Sequence, residues 1–326
     1  MTPFIRNSTS RLLGPLARAV TSGRVRILMY HRFGPDGAHR RLGTSALDLQ
    51  LRYLKAHFQP TPLAEVVARL RSGRALAPRA VVITVDDGYA DFATHAYPLL
   101  QRYRVPATVY VVSRFVSGAC WLWFDAIQWL ADSAAPGDHE LRLDGASLSV
   151  ALSEPPDRFA LWSTVADLCL ARAPEAQWRI VGELAEQLEC RLPSRPTPEF
   201  AGMRWEDIRR LDPSLVEIGA HTLSHPILSR CAPDAQREEV GGCKSEIERE
   251  LGREVTAFCY PNGMPEDFTR ETESIVEESG FTSAVMACGG FSGADSTPYR
   301  LERLGAPLDL PLFRNAVNGI WHLRGQ

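Results

Sequence analysis

Val81-Val82-Ile83-Thr84-Val85-Asp86-Asp87-Gly88 decides the fold: an apolar, β-branched run ends abruptly in two carboxylates and a glycine. Runs of the same kind recur at Val25–Tyr30, Thr108–Val112, Val216–Ala220, Ala257–Tyr260 and Ser283–Met286, with a last short one near Leu304. Helical patterns separate them, at Leu47–His57, Leu63–Arg71, Phe92–Tyr103, Ala235–Leu251, Phe268–Ser279 and Leu312–Leu323. Strands alternating with helices predict an α/β fold on a mainly parallel sheet or barrel. Reactive residues fall at the strands' C-terminal ends: His31, then Asp86 and Asp87, then His221 and His225, then Asn262. In parallel α/β folds that rim builds the active site.

The alternation breaks between Phe115 and about Thr197. A Trp-rich helical stretch, a small hairpin around Asp144-Gly145 and two further helices take its place. The proline-rich loop Pro193–Pro198 marks the return. The expected organisation is a lead-in over residues 1–24 and a barrel over residues 25–326, with an insertion at about 115–200 that acts as a lid over the cleft.

Length and composition suit a globular enzyme: 326 residues, 45% hydrophobic and 23% charged. A formal charge of −3 without long single-sign runs disfavours nucleic acid and other polyanionic partners. The 7 cysteines are scattered, with no C-x-x-C pair, which reads as free thiols in a reducing compartment. Met1–Val20 holds no apolar run long enough for a signal-peptide core or a transmembrane span. Leu12, Leu13, Leu16 and Val20 fall at helical spacing beside Arg6, Arg11 and Arg18, which allows a weak surface-seeking helix, although a frayed lead-in explains them more simply. The expected location is the cytoplasm, with peripheral contact at the inner membrane face as the variant of that reading.

Two adjacent carboxylates at the end of a buried strand raise each other's pKa, and burial adds a desolvation cost; a bound cation resolves the conflict. If Asp87 ligates it, Asp86 is free to remove a proton from water, while Gly88 permits the tight turn. An Asx-turn capping a helix would also place aspartates there. His221-Thr222-Leu223-Ser224-His225 adds two imidazoles four residues apart, which on a helical turn project from one face. One carboxylate and two imidazoles suit zinc, with cobalt, nickel or iron as alternatives, and leave coordination positions open for chemistry.

Thr84–Gly88 resembles the first motif, T-F-D-D-G, of the polysaccharide deacetylases of the NodB-homology type, carbohydrate esterase family four. His221–His225 resembles the second, H-[ST]-x-x-H. The resemblance runs from about Val25 to Leu323, covers the insertion only loosely, and implies a deformed (β/α) barrel. It implies Asp86 as general base and Asp87, His221 and His225 as metal ligands, acting on an N-acetylated polysaccharide, oligosaccharide or glycolipid.

Phe258-Cys259-Tyr260-Pro261-Asn262-Gly263 is similar to the third motif, R-x-P-Y-G, but Cys259 stands in place of the arginine that steadies the base, and Asn262 in place of tyrosine. The Asn262 amide still suits an oxyanion donor, which needs no side chain. Arg303 is a candidate substitute for the arginine; a surface ion pair explains it equally well. No copy of the Leu-x-x-His motif that carries the family's general acid is found, and His322 is simply placed near a helix end.

His31, next to Tyr30, is the better candidate acid, since a Tyr-His pair occurs here in one branch of the family. Tyr30, Tyr260, Pro261, Trp205 and Arg303 are the expected substrate-binding set, with Trp205 as a pocket wall. Trp121, Trp123, Phe124 and Asp125 open the insertion as an aromatic platform for a sugar ring or as a core-facing stripe. Two rival functions share these motifs: an amidase or deformylase on a lipid-linked sugar or small amide, and a catalytically degenerate barrel that binds carbohydrate.

Overall fold

The computed structural model describes residues 13–320. In chain order its strands are β1 (Arg26–Tyr30), the short pair β2 (Phe33–Gly34) and β3 (Leu42–Gly43), β4 (Gln59–Pro60), β5 (Ala80–Val85) and β6 (Ala107–Val111). The hairpin β7 (Asp138–Leu143) and β8 (Ala146–Ala151) follows, then β9 (Val216–Ala220), β10 (Ala257–Cys259), β11 (Ser283–Met286), β12 (Leu301–Glu302) and β13 (Leu304–Gly305). The main sheet has 9 strands in the order β12-β11-β10-β9-β6-β5-β1-β13, with β4 beside β5, and its pairings are parallel.

The two ends of that order are consecutive in sequence. β12 pairs with β11 through Val285↔Leu301, and two residues on β13 pairs with β1 through Leu28↔Leu304, so the segment 301–305 bridges the sheet's two edges and nearly closes a barrel. The single late strand expected near Leu304 is therefore two, which change partner at Arg303.

Every residue of β5 is buried, because the period-two pleat has an apolar partner on both sides. Val81, Ile83 and Val85 join the large cluster under the outer helices, while Ala80 and Val82 join a smaller inner cluster with Ile27, Tyr110, Ala257 and Val285. The helix Leu63–Arg71 contributes Leu63, Val66 and Val67 to that inner cluster, at the i, i+3, i+4 spacing of one apolar stripe. Inside the barrel the Tyr110 ring occupies the place of a side chain at position 219: a Cβ on Gly219 would come within 2.5 Å of Tyr110 Cδ1. The inward positions nearer the reactive rim are polar: Thr84 and Asp86 follow Val82 in the same alternation.

Residues Trp121 to Phe200 form a second apolar cluster, built from the helices Trp123–Ser133, Pro155–Leu170 and Pro174–Gln187 and from the β7–β8 hairpin. The hairpin turns at Asp144 and Gly145, both at positive φ of 48° and 82°, as a two-residue turn of this hand requires. The expected helix Leu312–Leu323 runs instead over Leu310–Asn318 and stops at Gly319, at φ 81°, the left-handed cap that glycine favours. His322 lies outside the described residues, as do Arg6, Arg11 and Leu12; Leu13, Leu16 and Val20 are exposed.

Candidate metal centre and active-site cavity

In a regular strand Asp86 and Asp87 would point to opposite faces. Asp87 instead adopts φ 71° and Gly88 φ 85°, and this left-handed turn leaves both carboxylates on the wall of one cavity of about 910 Å³. A Cβ on Gly88 would lie 3.0 Å from Val111 Cγ1 and Val116 Cγ1, so the turn needs glycine both for its φ and for space.

His221 and His225 reach Asp87 in a different way from that expected. Residues 221–225 are not helical, and Thr222 and His225 sit at φ 67° and 63°. In place of the expected helical face, a loop, tied by the His225 amide to Thr222 Oγ1 at 3.0 Å and by Ser224 to Glu239 of the helix Pro233–Leu251, brings the rings together. Asp87 Oδ1 lies 3.5 Å from His221 Nε2 and 3.6 Å from His225 Nε2. Donor atoms of the three residues lie within 4.8 Å of one another, close enough to share one ion.

Burial pushes His221 down to about 4 and His225 well below its ordinary value, so both rings are neutral at pH 7. His221 Nδ1 sits 2.8 Å from the Cys259 carbonyl; as the donor there, it leaves Nε2 with a lone pair toward Asp87. Asp87 Oδ1 is buried with no hydrogen-bond partner among the described residues, and burial together with Asp86 drives its carboxyl well up. An orphaned carboxylate oxygen beside two neutral imidazoles is a donor set that fits a divalent cation.

Asp86 is the opposite case. Burial is the strongest single push and would raise it, but Arg303, by its charge and its hydrogen bond, leads the neighbouring groups that together hold it well below the usual carboxylate range. The Arg303 guanidinium is 1% exposed; it donates from Nη1 to Asp86 Oδ1 at 2.6 Å and to Thr84 Oγ1 at 3.1 Å, from Nη2 to Cys259 Sγ at 3.1 Å, and from Nε to the Met286 carbonyl at 3.2 Å. The surface-ion-pair reading of Arg303 is thus excluded by its burial. Cys259 could join a second cluster with Asp86 and His221, but burial pushes its thiol well up, so it is a poor ligand.

His31, its side chain 45% exposed, places Nε2 3.7 Å from Asp86 Oδ2. Asn262, at φ 58°, donates its side-chain amide to Asp267 Oδ2 at 2.5 Å. Its backbone N–H has no acceptor among the described residues. Tyr260 lines the cavity and stacks on Phe268 at 3.9 Å.

The other members of the expected substrate-binding set do not line it. The outward-facing Tyr30 donates to Gln50 at 2.9 Å, Pro261 is buried, Trp205 packs on the main core, and Arg303 lies behind Asp86. Trp121 likewise belongs to the insertion core and donates to the Pro193 carbonyl at 2.8 Å, whereas Trp123, Phe124 and Asp125 do line the cavity. Rather than arching over the cleft alone, the insertion supplies a side wall.

Several wall residues were missed by sequence reasoning, Tyr89, Arg32, Arg40 and Trp162 among them. Tyr89 donates to Asp125 Oδ2 at 2.6 Å, Arg32 pairs with Asp91 at 2.7 Å while stacking on the Tyr89 ring at 3.9 Å, and Trp162 stacks with Arg40 at 4.1 Å. The only local signal was Asp91, four residues past Asp87 in the same turn-helix.

A nearly closed parallel barrel with a carboxylate–imidazole cluster at its rim is the architecture on which the comparisons with known proteins bear. The polysaccharide deacetylase family pattern matches residues 73–146 and 178–284, more than half of the chain, and the chain belongs to that family. Over 84 residues it is 36% identical to the poly-β-1,6-N-acetyl-D-glucosamine N-deacetylase of Escherichia coli strain K12, a match covering 24% of this chain and 12% of that relative's length. The Bacillus subtilis (strain 168) relative YxkH is 28% identical over 279 residues, covering 85% of this chain and 70% of its own. The fold is shared with the Streptococcus pyogenes deacetylase PplD, solved with acetate: TM-score 0.58, 17% identity, 89% of this chain and 96% of that one. It is shared equally with IcaB from Ammonifex degensii: TM-score 0.58, 17% identity, 91% and 97% of the two chains.

Proposed function

We propose that this chain hydrolyses an N-acetyl group on a carbohydrate, with Asp87, His221 and His225 holding a divalent cation and Asp86 as the base. The carrying observation is the orphaned Asp87 Oδ1 between two neutral imidazoles, beside an Asp86 that Arg303 keeps ionised. Zinc suits the donor set, with cobalt, nickel or iron as alternatives. When bound, such a cation supplies Lewis-acid polarisation of an acyl carbonyl and eases the ionisation of water.

The chain's own groups do the rest. Asp86 takes a proton from the attacking water, and Arg303 keeps it ionised and aimed. The Asn262 N–H donates to the oxygen that gains charge as the carbonyl carbon becomes tetrahedral. His31, half exposed on the cavity, gives a proton to the departing amine, so that water and amide become acetate and a free amino sugar.

Acetate release tests the reading. The substrates are β-1,6-linked N-acetylglucosamine oligomers, other N-acetylated oligosaccharides, sugar nucleotides and glycolipids, with and without chelator, for the parent chain and Asp86→Asn. Chelator-sensitive release that Asp86→Asn abolishes is the expected result. Formate or another acyl group released in place of acetate would move the chain to the amidase or deformylase reading; metal bound without any release would move it to the binding barrel. For its place of action we propose the cytoplasm or the inner membrane face, a reading supported by free cysteines throughout and by the exposed Leu13, Leu16 and Val20. Cell fractionation that recovers the chain in an oxidising compartment would refute it.

A further inference from the structure

The insertion places a carboxylate in the cavity that the proposed chemistry does not use. Asp125, in the first turn of the helix Trp123–Ser133, is 3% exposed and lines the cavity. Its Oδ2 accepts from Tyr89 at 2.6 Å, while no donor among the described residues reaches its Oδ1. Nor is any cation among the described residues within ion-pair distance: Arg32 is committed to Asp91 and Arg41 to Glu199, while Arg40 stacks on Trp162. An acid in a first helical turn is ordinary when exposed. Buried, without a charge partner and without a bond to the helix amides, it costs folding free energy that an apolar residue would not.

We propose that Asp125 is a specificity residue, accepting a hydrogen bond through Oδ1 from a hydroxyl of the sugar whose N-acyl group lies at Asp87, His221 and His225. This rests on the deacetylase reading. Around Asp125 the wall is built as sugar sites are, with flat apolar surface beside a few fixed polar atoms. Phe124 meets the His225 ring edge-to-face, with centroids 5.3 Å apart, and Trp162, whose indole N–H is held by the Phe124 carbonyl at 2.9 Å, continues the aromatic wall. Tyr89, donating to Oδ2, fixes the carboxylate's rotation, so Oδ1 presents one direction to the cavity. Burial pushes the Asp125 carboxyl up to about 7; in either protonation state one oxygen can serve as an acceptor.

The test compares Asp125→Asn, which keeps the shape and an acceptor for Tyr89, with the parent zinc-loaded chain on two probes. One is the β-1,6-linked N-acetylglucosamine tetramer; the other is 4-nitrophenyl acetate, which has an acyl group and no sugar hydroxyl. The expected result is a KM for the tetramer raised about 10- to 100-fold, with kcat, aryl acetate hydrolysis and zinc content unchanged and Tm equal to or above the parent's. Equal loss on both probes, or no change on either, would overturn the proposal. If the parent cleaves no tetramer, the deacetylase reading has failed separately, and calorimetric tetramer binding decides: weaker binding by Asp125→Asn sustains the subsite, and equal binding overturns it.

Discussion

Replacing Arg303 by methionine removes a guanidinium from a carboxylate that is 2% exposed. In the parent chain the neighbours of Asp86, Arg303 foremost, together outweigh the upward push of burial, so the folded-state value lies well below the unfolded value of about 3.9. The stability this contributes is fully present above the unfolded value and is lost only as pH falls through the folded one, so between pH 5 and 8 Asp86 is silent. In Arg303→Met the sign reverses. Burial now lifts the folded value above the unfolded one, the native state takes up a proton that the unfolded chain does not, and stability falls as pH rises.

Breaking a buried pair from one side costs about 3–5 kcal/mol, and each pH unit of that proton uptake is worth about 1.4 kcal/mol. Urea denaturation of metal-free parent and variant at pH 8 and pH 5 reads both terms. The expected loss is about 3–5 kcal/mol at pH 8, smaller at pH 5 by about 1–2 kcal/mol. Arg303 also pushes His31 and His221 down, so their release in the variant adds to the smaller loss at pH 5. A loss below about 1 kcal/mol, the worth of an exposed pair, or one equal at both pH values, would refute the reasoning.

Asp87→Asn and His225→Ala should each lower bound zinc, read by elemental analysis after dialysis, and abolish the rise in Tm that zinc gives the parent. Gly88→Ala combines a left-handed φ with a Cβ against Val111 and Val116, and should cost about 2–5 kcal/mol by chemical denaturation. The buried thiols Cys169, Cys243 and Cys259 should react with a disulfide reagent only on unfolding, since burial pushes Cys169 and Cys243 up to about 12 and Cys259 well above its ordinary value; rapid labelling of all 7 cysteines in the native chain would contradict the packing.

Much of the barrel was legible. Val216–Ala220 and Ser283–Met286 are strands over the bounds that their apolar, β-branched runs predict, and Leu63–Arg71 is the predicted helix. The other main strands start or end within a residue of expectation. Those signals are local, since they depend on side chains alternating along a few residues. The histidine pair shows the limit of spacing: four residues apart suits a helix turn, yet Thr222 and His225 adopt left-handed conformations that Glu239, from another element, helps to hold. Trp205 failed as a wall residue because an aromatic at a helix start is equally at home in a core.

By itself the sequence determined which strands and helices form and which residues stand at the strand ends, because pleat, helical period and glycine turns are properties of short segments. Only the tertiary structure decided what those residues meet. Arg303 reaches Asp86 across 217 positions of chain, because the segment 301–305 changes partner from β11 to β1 and closes the barrel. Asp125 faces the same cavity because the insertion folds on its own apolar cluster and then lies against the rim. No local pattern encodes either contact: both arise from barrel closure and packing, where residues far apart in sequence bury surface against each other.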